Sequence, residues 1–194
     1  MGVTPACFDF LLSAMPYEIP WYGLRMLELG NQHFHDNESH LMERDGSHIV
    51  KAWFEKRGVE HVSIDTNGQD GALRRDICAD LSDLGQFDIV TNFGSSEHVD
   101  DQAKCWQAFD TLCRPGGVMV HAVPLIGHWP HHCRFRYSKG FFEELVRLNG
   151  YRKLHLSFDE HCGRDRNLIF AAMMKRSKNA FFASPMIDDD TCCC

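Results

Sequence analysis

The stretch "RMLELGNQHF", Arg25 to Phe34, decides how this chain is read. Met26, Leu27 and Leu29 make a short apolar run, and Gly30 follows it directly. A buried strand that ends in a glycine turn is where an α/β domain usually holds a nucleotide. Such turns often carry two or three glycines, whereas this one has Gly30 alone and Gln32 two places on. Either the site is built with less glycine, or the fold has kept its shape without the ligand.

The surrounding composition narrows the classes. A chain of 194 residues, 44% of them hydrophobic, suffices for one domain with a normal core. A net charge of −7 disfavours a broad electrostatic grip on nucleic acid or an anionic membrane. No apolar run approaches the roughly 18–20 residues of a membrane span. "MGVTPACFDF" lacks a basic region followed by an apolar core, so no signal peptide is expected. Gly2 is not expected to be myristoylated, given Pro5 and no Ser or Thr at the usual place. The nine cysteines are scattered, which suits reduced thiols in a cytoplasmic protein better than a disulfide scaffold.

Four apolar runs read as strands covered on both faces: 23–30, "EHVSID" (60–65), "FDIVTNF" (87–93) and "GVMVHAVP" (117–124). Helix-like segments lie between them. "SHIVKAWFEKRG" offers Ser47 as N-cap and Gly58 as stop. "DDQAKCWQAFDTLCRPGG" has Asp100 or Asp101 as cap, with Trp106, Phe109 and Leu112 at threefold spacing and Pro115 as terminator. "SKGFFEELVRLNG" runs from Ser138 as cap to Gly150 as stop. Two further strands, 151–158 and 167–175, suggest an antiparallel pair at one sheet edge. The pattern predicts a doubly wound α/β domain over 1–175, with 176–194 as a tail ending in "CCC" that reads as a flexible end.

Ligands of such sheets sit beyond the carboxyl ends of the strands, so the polar residues there carry the weight. Asp65 ends the second run, where a carboxylate can accept both hydroxyls of a ribose; a solvated loop aspartate is the plain alternative. Asp76 in "RRDICADL" is a similar case, able to accept from an adenine amino group if its loop lies beside the base.

The arrangement as a whole resembles the class I S-adenosylmethionine-dependent methyltransferases, of the type 11 kind. "MLELGNQ" is similar to their first motif, "VSIDTNG" to the ribose segment and "RRDICADL" to the adenine loop. "FDIVTNFGSSEHVDD" is similar to the fourth-strand motif, and "LCRPGGVMVHAVP" to the following helix, turn and strand. The resemblance implies a Rossmann-like, seven-stranded, mostly parallel sheet, its last strand antiparallel between the fifth and sixth. The third strand would lie within "DGALRRDICADL", where the signal is poor. It also implies S-adenosyl-L-methionine as cofactor, held by Glu28, Gly30, Asn31, Gln32, Asp65, Thr66, Asp76, Ile77, Asn92 and Glu97.

Two departures stand out. Gln32 replaces the second glycine, which lets backbone approach the cofactor; its side chain could point away or bond the ligand's carboxylate. Gly30 and Asp65 lie 35 residues apart, against roughly 20 in the dinucleotide fingerprint. The surplus, "HFHDNESHLMERDG" (33–46), is either a lid over the cleft or an inert insertion.

For the acceptor side, a hydroxyl nucleophile needs a proton acceptor, and histidine suits that task. His98 is the first candidate, since "SSEHV" follows the strand nearest the methyl position in the resembling family, and His128 in "IGHWPHHCRFRYS" is the second. That loop is a substrate-facing segment or a structural connection. Zinc is disfavoured there because adjacent His132 and Cys133 would not both face one ion, so no metal is expected. The leading expectation is a methyltransferase for a small-molecule or sugar acceptor, without clear nucleic-acid binding. The alternative is a non-catalytic methyltransferase-like interaction or regulatory subunit, favoured by Gln32. A nicotinamide oxidoreductase is disfavoured by the absent G-x-G-x-x-G.

Overall fold

In the computed structural model, which describes residues 2–15, 20–35, 48–158, 166–177 and 181–185, the apolar runs pair side by side as expected. The strands are β1 (Gly2–Val3), β2 (Arg25–Leu29), β3 (His33–Phe34), β4 (Glu60–Asp65), β5 (Leu73–Arg74), β6 (Phe87–Phe93), β7 (Cys113–Pro124), β8 (Arg152–Phe158) and β9 (Leu168–Met174). The helices are α1 (Pro5–Ala14), α2 (Val50–Glu55), α3 (Gln102–Leu112) and α4 (Lys139–Asn149).

Seven strands form one sheet in the order β5-β4-β2-β6-β7-β9-β8. All neighbours up to β7 are parallel, and β9 runs antiparallel to both β7 and β8. The Rossmann-like sheet implied by the motif order is therefore present, including the inserted antiparallel strand. From β2 the chain first builds outward through β4 and β5, then returns to lay β6 on the other side. The switch point, where ligands bind in such sheets, lies between β2 and β6.

Alternation along the strands fills two cores. Leu27, Leu29, Val90, Met119 and Val123 face Trp106, Phe109, Phe142 and Leu145 of α3 and α4. Met26, Ile89, Val118, Val120 and Ala122 face Phe8, Leu11, Trp53 and Phe54 of α1 and α2. Near-continuous hydrophobicity in the central strands is what burial on both faces requires. The outer strand β8 is largely exposed and begins with Arg152 and Lys153, charges that blunt a sheet edge.

Several boundaries differ from the sequence reading. Helix α2 starts at Val50, because His48 and Ile49 are held extended against β3: Phe34 N–H donates to the His48 carbonyl and Ile49 bridges His33. The expected cap Ser47 and residues 36–46 of the insertion lie outside the described residues. Helix α3 stops at Leu112, before Pro115, and the chain passes directly into β7, whose pairing with β6 shifts register before Val118. Strand β5 spans two residues, which explains its weak signal. Asp101, not Asp100, caps α3 by accepting from the Lys104 N–H, while Asp100 pairs with Arg134. Helix α1 is not among the segments read from the sequence, though Thr4 followed by Pro5 is a start signal: Thr4 accepts from the Cys7 N–H. Part of the tail is docked, with Asn149 Oδ1 accepting from the Phe182 N–H.

His121 lies fully buried against the rings of Trp106, Phe109 and Phe142, and burial holds it far below the usual histidine value, at about 3. The unfolded chain protonates this group near pH 6.5, so it binds more protons than the native state between the two values. Its contribution to stability is thus present above that window and lost as pH falls through it. Denaturant unfolding at about pH 7 and about pH 5 should show a smaller acid-side loss in His121→Phe than in the parent chain. An equal loss in both would remove His121 as the cause.

Candidate active site

The turn after β2 is shaped by Gly30, whose φ of +85° favours glycine. A Cβ there would lie 2.4 Å from Ser95 Oγ and 2.8 Å from Gln32 Nε2, so Gly30 is fixed by space as well as by angle. The Asn31 N–H donates to Asp65 Oδ2 at 2.8 Å, and the Asn67 N–H donates to Oδ1 at 2.9 Å. Asp65 therefore ties the first turn to the second while keeping lone pairs for a further donor.

Gln32 answers the question raised by the missing glycine. Its side chain is buried beneath the turn, where Nε2 donates to the carbonyls of Leu29 (3.2 Å) and Phe93 (3.0 Å) and lies 3.1 Å from Ser95 Oγ. Ser95 Oγ in turn donates to the Leu29 carbonyl at 2.9 Å. The amide thus clasps the carboxyl ends of β2 and β6 at the switch point and stays clear of the cleft above.

That cleft is a cavity of about 220 Å³ lined by Gly30, Asp65, Thr66, Asp76, Ile77 and His98, with Leu29, Ile64, Arg75, Ser95 and Val99. Six of the twelve residues singled out from the sequence meet there. Glu28 does not, because strand alternation turns it to the opposite face of the sheet from Leu27 and Leu29. There it is buried 3.4 Å from His61 beneath α2, and burial raises its carboxyl above the usual range. Asn31 contributes its backbone to Asp65 and its side chain to Asp70. Asn92 is wholly buried and caps the next turn, its Oδ1 accepting from the Ser95 and Ser96 N–H groups.

A second cavity, about 140 Å³, adjoins the first across the short helical turn Ser96–His98. Its lining is mainly apolar, including Phe93, Pro124, Trp129 and Leu168, with Cys7 and Thr4 brought in by α1. Glu97 and His132 supply polar groups. The turn is held rigidly: Gln102 donates to the carbonyls of Ser96 and Val99, and Tyr137 Oη donates to Ser96 Oγ. Glu97 is 1% exposed, and burial pushes its carboxyl up to about 8. Burial, helped by neighbouring His132, holds His98 below the usual histidine value. His128 lines neither cavity; its carbonyl accepts from Arg136 Nε. His132, which the sequence reading placed in that loop without singling it out as a base, is the loop histidine that lines the second cavity. Trp129 and His131 have φ of +57° and +58°, an uncommon backbone state that accompanies this re-aimed loop.

Comparisons with known proteins bear on the fold. Residues 44–121 match the family model described as a methyltransferase domain. The fold is similar to that of the 1,6-didemethyltoxoflavin-N1-methyltransferase of Burkholderia thailandensis, solved with 1,6-didemethyltoxoflavin and S-adenosylhomocysteine. That likeness has 15% identity and a TM-score of 0.59, over 89% of this chain and 79% of that one. The N-methyltransferase NodS of Bradyrhizobium japonicum WM9, in complex with S-adenosylhomocysteine, is similar at 12% identity and TM-score 0.59, over 89% and 86%. A 16S rRNA (adenine(1408)-N(1))-methyltransferase variant from Catenulisporales acidiphilia is similar at 9% identity and TM-score 0.53, over 88% and 91%. No curated protein sequence matches the chain. Over residues 44–121 the chain is thus similar to a methyltransferase domain, and its fold is similar to that of methyltransferases solved with S-adenosylhomocysteine. Among the described residues no helix is long and apolar enough to cross a membrane.

The clasp yields a direct test. Gln32→Leu keeps the volume and removes the donors, so the Phe93 carbonyl loses its amide partner. It should lower unfolding stability by about 1–3 kcal/mol in urea titrations. A change within a few tenths of a kcal/mol would mean that the clasp does not hold the strand ends.

Proposed function

We propose that this chain is an S-adenosylmethionine-dependent methyltransferase whose acceptor is a small molecule seated in the cavity beside Glu97 and His132. The observation that carries it is two cavities meeting at one rigid turn: a polar cleft with Gly30 and Asp65, and a mainly apolar pocket beyond His98. The cleft's donor set fits the cofactor. Asp65 can accept the ribose hydroxyls, Ile77 offers an apolar surface for a base, and Asp76 can accept from an exocyclic amine. Bound there, S-adenosylmethionine supplies a methyl group on a sulfonium. The protein's part is to bring the acceptor atom in line with that methyl and to exclude water. His98 lies at the border of the cleft and is the histidine whose position suits contact with the acceptor; His128 remains a structural member of its loop.

Gln32 was the feature favouring a non-catalytic domain, and it loses that weight because its side chain lies under the turn. A small acceptor is supported by the limited, mainly apolar pocket and by the net charge of −7, which disfavours a grip on RNA or DNA.

Titration calorimetry with S-adenosylhomocysteine, beside NAD as control, tests the reading. We expect binding of the homocysteine product only, weakened more than about tenfold in Asp65→Ala, which removes charge-assisted hydrogen bonds. No heat at millimolar product would overturn the proposal. In turnover assays with a panel of small acceptors, His98→Ala should lose most activity and His128→Ala little.

A further inference from the structure

The geometry points to a divalent transition-metal site, of the zinc type, formed by Glu97, His98 and His132 at the junction of the two cavities. One ligand atom from each residue lies within 4.8 Å of the others. Zinc bonds of roughly 2.0–2.2 Å place tetrahedral donors about 3.3–3.6 Å apart, so a closure of the order of 1 Å would complete the set. The two imidazoles are exposed enough to make that movement, while Glu97 is fixed in the Asn92–Gln102–Tyr137 framework.

Two features set this cluster apart from a chance meeting of polar groups. Glu97 is buried, yet neither carboxylate oxygen meets a hydrogen-bond donor from another described residue. Such a group is costly to leave unpaired. His98 Nε2 stands 4.0 Å from Oε1, beyond hydrogen-bonding distance. His132 is brought in from a different element, the 126–137 loop, whose path is held by Arg136 donating to the carbonyls of His128 and Trp129. Its ring lies 5.4 Å from that of His98, edge to face.

Two imidazoles and one carboxylate suit zinc, cobalt or iron(II) and are poor for magnesium or calcium, which prefer all-oxygen shells. Three protein ligands leave coordination positions open, as in metal sites that bind a further ligand. Here they face the cavity lined by Phe93, Trp129 and Leu168. An acceptor with an oxygen or nitrogen donor would complete the shell. That last assignment rests on the methyl-transfer reading; the cation site does not.

Cobalt(II) is the probe, titrated into the full reduced chain and followed by visible absorption, with zinc as competitor. We expect one high-affinity cobalt per chain, weakened more than about tenfold in both Glu97→Gln and His132→Ala, with thermal melts confirming that each variant is folded. A variant with Cys192→Ser, Cys193→Ser and Cys194→Ser removes the terminal thiols and should bind as the parent does. Binding lost in that variant, or unchanged in Glu97→Gln and His132→Ala, overturns the site. S-adenosylhomocysteine calorimetry on the same samples separates the two proposals. Product binding without cobalt binding overturns the cation site alone. Cobalt binding without product binding upholds the site and overturns the methyl-transfer reading.

Discussion

The hydrogen bonds between the Gln32 amide and the carbonyls of Leu29 and Phe93 join the two strands at which the sheet changes direction. Parallel strands diverge at a switch point, since their connections leave to opposite sides, and the gap exposes backbone acceptors. A glycine-rich turn leaves such a gap for the ligand to fill. In this chain a side chain fills its lower half, and Ser95 adds a hydroxyl to the same carbonyl of Leu29. Gly30 is then confined between them, and its positive φ directs the turn back over Asp65.

From that clasp the site is built outward. Ser95 opens the turn that carries Glu97 and His98, and Asn92 caps it from within the sheet. Because both cavities border this turn, the position of strand β6 sets their separation. The second cavity also depends on elements distant in sequence: α1 lays Thr4 and Cys7 against it, and the loop after β7 brings Trp129 and His132. A site with buried acid and partly exposed histidines is electrostatically demanding. The protein meets that demand with a rigid backbone frame more than with paired charges.

Much of the fold was legible because hydrophobic runs and turn signals are local. Strands 60–65 and 87–93 stand where the alternation and turns place them, and Ser138 and Gly150 bound α4 as capping rules require. The start of α2 was misread because a cap rule cannot foresee that β3 would claim the backbone of His48 and Ile49. Glu28 lies away from the cleft for a related reason: motif position does not say which face of a strand a side chain takes, and here it turns beneath the sheet toward His61.

By itself, the sequence determined the apolar runs and turns between Met26 and Pro124, which follow from spacing along single elements that a linear reading can follow. The sheet order and the grouping of Gly30, Asp65, Asp76 and Ile77 came from the resemblance of those motifs to a known family, and the four residues do line one cleft. Only the tertiary structure decided that Gln32 lies under the turn, that His132 and not His128 reaches the site, and that Glu97 faces the second cavity. Those outcomes depend on strand pairing and on a loop returning across the sheet. Contacts between residues 35 to 61 positions apart are set by packing, which no local pattern encodes.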